Sequence, residues 1–151
     1  MKKRVLLILF LFIGTITHGQ AIVSQESLKA AFIFQFIKFV QWTDEQPEYY
    51  ICIPDDEAFR KTAQEVLQDK SVNDRKLVVV DRLDACHVLV TDHVPVTDTT
   101  LTIGPLAQGA LFEFRVINNK LKFLTNPENI KKSKLKISSQ LLKLAILEND
   151  S

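Results

Sequence analysis

The sequence predicts an α/β fold, a compact sandwich in which a mixed β-sheet is flanked by helices. Three observations carry that expectation. A short β-rich run, Tyr49 to Ile53, is followed by a capped amphipathic stretch and then by a second strand, Lys76 to Val80. This is the strand–helix–strand order of a parallel crossover. Farther on, Leu111 to Ile117 and Leu121 to Leu124 flank Asn118-Asn119, a pair that tolerates positive φ and suits a tight hairpin. The 151 residues are 46% apolar and 25% charged, which supports one domain with a real core and hardly two.

Residues 1–20 stand apart from that domain. Lys2-Lys3-Arg4 precedes an unbroken apolar run from Val5 to Ile13, and small and polar residues follow. That is the layout of a secretory signal peptide, with cleavage expected after Gly19 or Ala21. Nine apolar residues fall short of the roughly 20 that span a bilayer, so the mature chain is expected not to insert in the membrane. Residues 21–151 then form a single domain.

Within it, Ser24 to Trp42 reads as a helix, with Ser24 or Ser27 as cap. Steps of 100° place Leu28, Phe32, Phe36, Phe39 and Val40 on one side and Gln35, Lys38 and Gln41 opposite. Phe34 falls in that polar stripe, so it is either covered by another part of the fold or exposed for a partner. After the Tyr49–Ile53 strand, Asp55 or Asp56 caps a helix running to about Gln68, with Ala58, Phe59, Ala63, Val66 and Leu67 as its apolar face. Asp69 to Arg75 reads as a loop, His87 to Val90 as a third strand, Thr91 to Thr100 as a connection and Leu101 to Ile103 as a fourth strand. Asn126-Pro127 opens a further helix. Ser138 caps a last one, with Leu141, Leu142, Leu144, Ala145 and Ile146 on its apolar face.

Composition narrows the chemistry. Without Lys2, Lys3 and Arg4 the chain keeps 16 of its 19 basic residues against 18 acidic ones, so electrostatic capture of nucleic acid or anionic lipid is not expected. Strand order brings Cys52 in the first strand near Cys86 before the third, because the first strand of such a sheet is often flanked by the next two. In an exported chain with two cysteines, that favours a Cys52–Cys86 bridge over two separate buried thiols. A redox switch at the bridge is a weaker alternative, and no Cys-x-x-Cys supports an oxidoreductase. His87 and His93 do not stand at a zinc-ligand spacing, and no nucleophile elbow or phosphate loop occurs, so no metal, cofactor or catalytic residue is assigned. Lys131, Lys132, Lys134 and Lys136 form a basic run, by default a solvated face and otherwise a match for an acidic partner.

Several segments together resemble the YfiR-like family of small exported bacterial proteins. They are Leu28 to Phe34 running on through Phe36 to Trp42, Cys86-His87-Val88-Leu89-Val90, Leu101-Thr102-Ile103-Gly104, and above all Leu135 to Ala145. They follow one another in order across nearly the whole mature chain. The resemblance implies a compact α/β domain that can dimerise, with Cys52 and Cys86 at positions where some members carry a disulfide. It implies a non-enzymatic periplasmic repressor that binds the extracytoplasmic domain of a membrane diguanylate cyclase, so that its release raises cyclic-di-GMP and favours biofilm. Two departures fall on surfaces that could meet a partner. Thr91 to Thr100 is too short for the helix members tend to have there, and the Gly-Gly expected before the hairpin is reduced to Gln108-Gly109-Ala110.

The expected function is thus a regulator docking on a cyclase or a sensor kinase, with Phe34, Trp42, Lys131, Lys132, Lys134 and Lys136 as candidate contacts. The alternative is a periplasmic module that binds a small ligand at the ends of the strands.

Overall fold

The computed structural model describes residues 23–148; the expected signal peptide and both of its candidate cleavage points lie outside the described residues. In chain order the elements are α1 (Gln25–Phe39), β1 (Val40–Gln41), β2 (Glu48–Cys52), α2 (Glu57–Leu67), β3 (Ser71–Val72), β4 (Arg75–Val80), β5 (Val88–Val90) and β6 (Leu101–Ile103). After a 3-10 turn at Leu106–Gln108 come β7 (Phe112–Ile117), β8 (Lys120–Thr125), α3 (Pro127–Lys132), β9 (Lys136–Ile137), α4 (Ser139–Leu144) and β10 (Ile146–Leu147). One mixed sheet runs in the order β10-β8-β7-β6-β5-β2-β4-β3, and β1 pairs with β9 in a small second sheet. The fold is α/β.

The middle of the sheet follows from chain connectivity. β2 lies between β4 and β5 and is parallel to both. The chain leaves β2 through α2 to reach β4, then must return across β2 to start β5 on its other side. That return takes only residues 81–87, where a parallel crossover usually needs a dozen or more. Alternation puts Tyr49 and Ile51 in the core with the helices, and Tyr50 and Cys52 on the opposite face. The short crossover packs on that second face: the Arg82 guanidinium lies 4.3 Å from the centre of the Tyr50 ring, and Cys86 is bonded to Cys52.

The core is aromatic. The Phe36 ring of α1 stacks on Phe112 of β7 at 4.8 Å and meets Phe123 of β8 edge-on at 5.0 Å, with Phe32 and Phe114 completing the group. Removing a ring from such a cluster costs about 3–5 kcal/mol. In α2, Asp56 accepts the Phe59 N–H as N-cap, and Phe59, Ala63 and Leu67 recur every fourth residue on the buried side. Ala58, assigned to that face from sequence, is exposed, and Val66 is only half-buried.

Four local expectations need correcting. The buried side of α1 is Ala30, Ile33, Phe36 and Ile37, while Leu28 is 38% exposed. The helix is apolar almost all round and packs on α2, α4 and the sheet, so its period marks no single face. It also ends at Phe39 instead of Trp42, because Val40 turns extended to pair with Ile137, and the Trp42 indole N–H reaches back to the free carbonyl of Ile37. Residues 69–75 are not simply a loop. Asn73 and Asp74, both at positive φ, turn β3 into β4 without a glycine to announce the turn. The last helix stops early: Leu144 is exposed, and Ile146 and Leu147 instead pair parallel to β8, covering its edge. The Asn118-Asn119 hairpin forms as expected, with both residues at positive φ.

Candidate functional site

Cys52 and Cys86 form the disulfide, their Cα atoms 5.9 Å apart and 34 positions apart in sequence. Its position explains what it does: it ties down a crossover too short to carry a helix of its own. Chain entropy alone assigns a loop of this length about 3–4 kcal/mol.

The segment leaving the disulfide delivers His87, itself buried, into a part-buried network at the amino end of β5. Its Nδ1 accepts the Tyr50 backbone N–H at 2.9 Å, which puts the ring proton on Nε2, and Nε2–H donates to Asp44 Oδ2 at 2.9 Å. Arg75 donates to the same Asp44 oxygen at 2.8 Å and to the Glu48 carbonyl, with its guanidinium 3.9 Å from the Tyr49 ring centre. Trp42 and Tyr49 meet the His87 ring edge-on, each at 5.3 Å. Burial opposes the charge on Asp44, but hydrogen bonds from His87, Arg75 and the Gln46 N–H outweigh it and hold the carboxyl down from 3.8 to about 2. Asp44 is therefore an ionised carboxylate with its charge already answered.

Beside this network opens a groove of about 710 Å³. Trp42, Tyr50, Arg82, Cys86, Lys134 and Lys136 are among the residues that line it. It sits where β2, β5 and β6 begin. Among the candidate residues named from sequence, it brings together Trp42, Cys86, His87, Lys134 and Lys136. It does not include the others. Phe34 lies on α1 under two ammonium groups, Lys38 at 4.2 Å and Lys70 at 5.4 Å from its ring centre, and is half-buried against the core. Lys131 and Lys132 are exposed on the last turn of α3, Lys131 paired with Glu128. The basic run thus divides between two surfaces. His87 and His93 stand before and after β5, at opposite ends of the strand.

The residues that sequence reasoning missed here are Asp44, Tyr50, Arg75 and Arg82. Asp44 and Arg82 lie in irregular segments with no motif, and Arg75 sits in what reads as a loop. Only tertiary folding joins them.

The sequence matches the YfiR/HmsC-like family model over residues 26–146. The chain belongs to this family. No curated protein matches it. In this YfiR/HmsC-like domain the match begins in α1 and ends in β10, so both the disulfide and the groove fall within it.

A second, smaller hollow of about 290 Å³ lies at the opposite ends of the same strands. Asp55, Thr91, Asp92, Gly104 and Glu113 are among its lining, past the carboxyl ends of β2, β5 and β6, where the order of strand addition reverses. Thr91 Oγ1 donates to Asp55 at 2.8 Å. Gly104 allows the chains to close there, since a Cβ on it would press into the Thr91 carbonyl oxygen. Burial works against the charge on Glu113, but the Leu106 N–H and Arg115 keep its carboxyl below the usual range.

Proposed function

We propose that the protein is a non-enzymatic exported regulator that binds the extracytoplasmic domain of a membrane diguanylate cyclase and holds it inactive. Family membership implies this role, and one structural observation supports it most. The groove gathers Trp42, Lys134 and Lys136, three of the contacts expected from sequence, beside a crossover pinned by the disulfide. The disulfide suits an oxidising compartment such as the periplasm, and none of the described helices is long and apolar enough to cross a membrane.

The mechanism is differential affinity. A regulator that binds the inactive receptor better shifts the population toward it, and a shift from 1:99 to 99:1 needs about 10⁴-fold preference. Deleting the gene should raise cyclic-di-GMP, and the purified domain should recover the cyclase from membranes. Unchanged cyclic-di-GMP together with recovery of no signalling receptor contradicts the proposal. Recovery of a sensor kinase would retain the docking role and replace the receptor class.

The hollow at the carboxyl ends of the strands favours a second reading, a module that binds a small ligand there. A thermal-shift screen separates the two: stabilisation by one metabolite, abolished by altering Asp55, supports the second.

A further inference from the structure

We infer that the groove is built for an acidic segment of the receptor, bound across Arg82 and Lys136 beside the Trp42 ring. This deepens the regulator reading and rests on it. Of the charged groups lining the groove, Asp44 is answered by Arg75 at 2.8 Å and by His87, and Lys134 is answered by Asp98, also at 2.8 Å. Arg82 donates to the Ala85 carbonyl and stacks on Tyr50, and Lys136 lies exposed on β9. Among the described residues neither has a carboxylate partner. The groove therefore presents two unanswered positive charges on a chain whose residues after 20 carry 16 basic against 18 acidic groups. Trp42 and Leu135 add apolar lining to the same groove, so a segment that carries carboxylates together with an apolar side chain complements it, while a basic segment would be repelled.

Site-specific photo-crosslinking in cells tests this, with the crosslinker placed in turn at Gln41 and Thr99, exposed in the groove lining, and at Ala58 and Lys122, exposed elsewhere. The expected result is capture of the membrane cyclase from Gln41 and Thr99 alone, with the attached peptide rich in Asp and Glu. Lys136→Glu should lower capture roughly tenfold or more, and rising salt should weaken it in the wild type. Because Lys136 is exposed, its reversal leaves the fold intact, which circular dichroism checks. Capture of the cyclase only from Ala58 or Lys122 overturns the groove assignment while the regulator reading stands. Attachment of the groove positions to a basic or neutral segment, or to a second copy of this chain, also overturns it. Capture of no membrane protein from any position removes both.

Discussion

The two ends of the parallel strands differ in how they are held. At the amino ends the chain is irregular, and what fixes it is covalent and electrostatic: the Cys52–Cys86 bond and the His87–Asp44–Arg75 network. At the carboxyl ends the hollow is closed chiefly by backbone fit at Gly104 and by the Thr91 hydroxyl, which accepts from the His93 N–H and donates to Asp55, with Glu113, paired to Arg115, on its wall. Ligands of open α/β sheets usually sit at the carboxyl ends. Here the larger concavity is at the other end, where the crossover returning to β5 leaves Arg82 and Cys86 on the groove wall. Where the larger hollow of such a sheet opens thus depends on how the crossovers are built.

The contrast can be broken by removing each element in turn. The largest effect is expected from Cys52→Ala with Cys86→Ala. Stability should fall by about 3–4 kcal/mol in urea unfolding, and receptor capture through the groove should fall with it. If stability drops and capture does not, the crossover holds its place without the bond. Next is Gly104→Ala at the opposite end. Forcing a methyl toward the Thr91 carbonyl should cost about 1–3 kcal/mol and leave capture through the groove unchanged.

Asp44→Asn comes third, and its signature is in pH. The folded chain holds this carboxyl at about 2 against an ordinary 3.8, so it binds its proton less readily than the unfolded chain does. The resulting stabilisation is complete above about pH 5 and drains away as pH falls toward 2. Solvent reaches about a third of the side chain, which limits the effect to about 1 kcal/mol. The variant should lack that part of the acid dependence. An acid limb identical to wild type contradicts the network described. The smallest change is expected from Thr91→Val, which removes the donor to Asp55 and the acceptor for the His93 N–H, at about 1 kcal/mol or less in thermal unfolding.

Much of the fold is legible in the sequence because it is written locally. Asp56 capping α2, Asn126-Pro127 opening α3 and Asn118-Asn119 turning the hairpin each need only a few neighbouring residues. The bridge is legible at longer range, since strand order alone brings Cys52 toward Cys86. What is not legible depends on partners far along the chain. Val40 leaves its helix to meet Ile137, Leu147 leaves its helix to meet Thr125, and Arg75 finds Asp44 across 31 positions. The groove is of this last kind. Trp42 and Lys136 can be named as candidates from sequence, but Phe34 looks equivalent to them until its ring is seen beneath Lys38 and Lys70.

The docking role is tested most directly in cells lacking the gene, by measuring cyclic-di-GMP after complementation with the wild type, Lys136→Glu or Thr91→Val. The wild type and the Thr91 variant should restore low cyclic-di-GMP, while the Lys136 variant, present at equal amount, should leave it near the level of the deletion. Full restoration by Lys136→Glu with failure of Thr91→Val would place the function at the carboxyl ends of the strands and contradict the assignment to the groove.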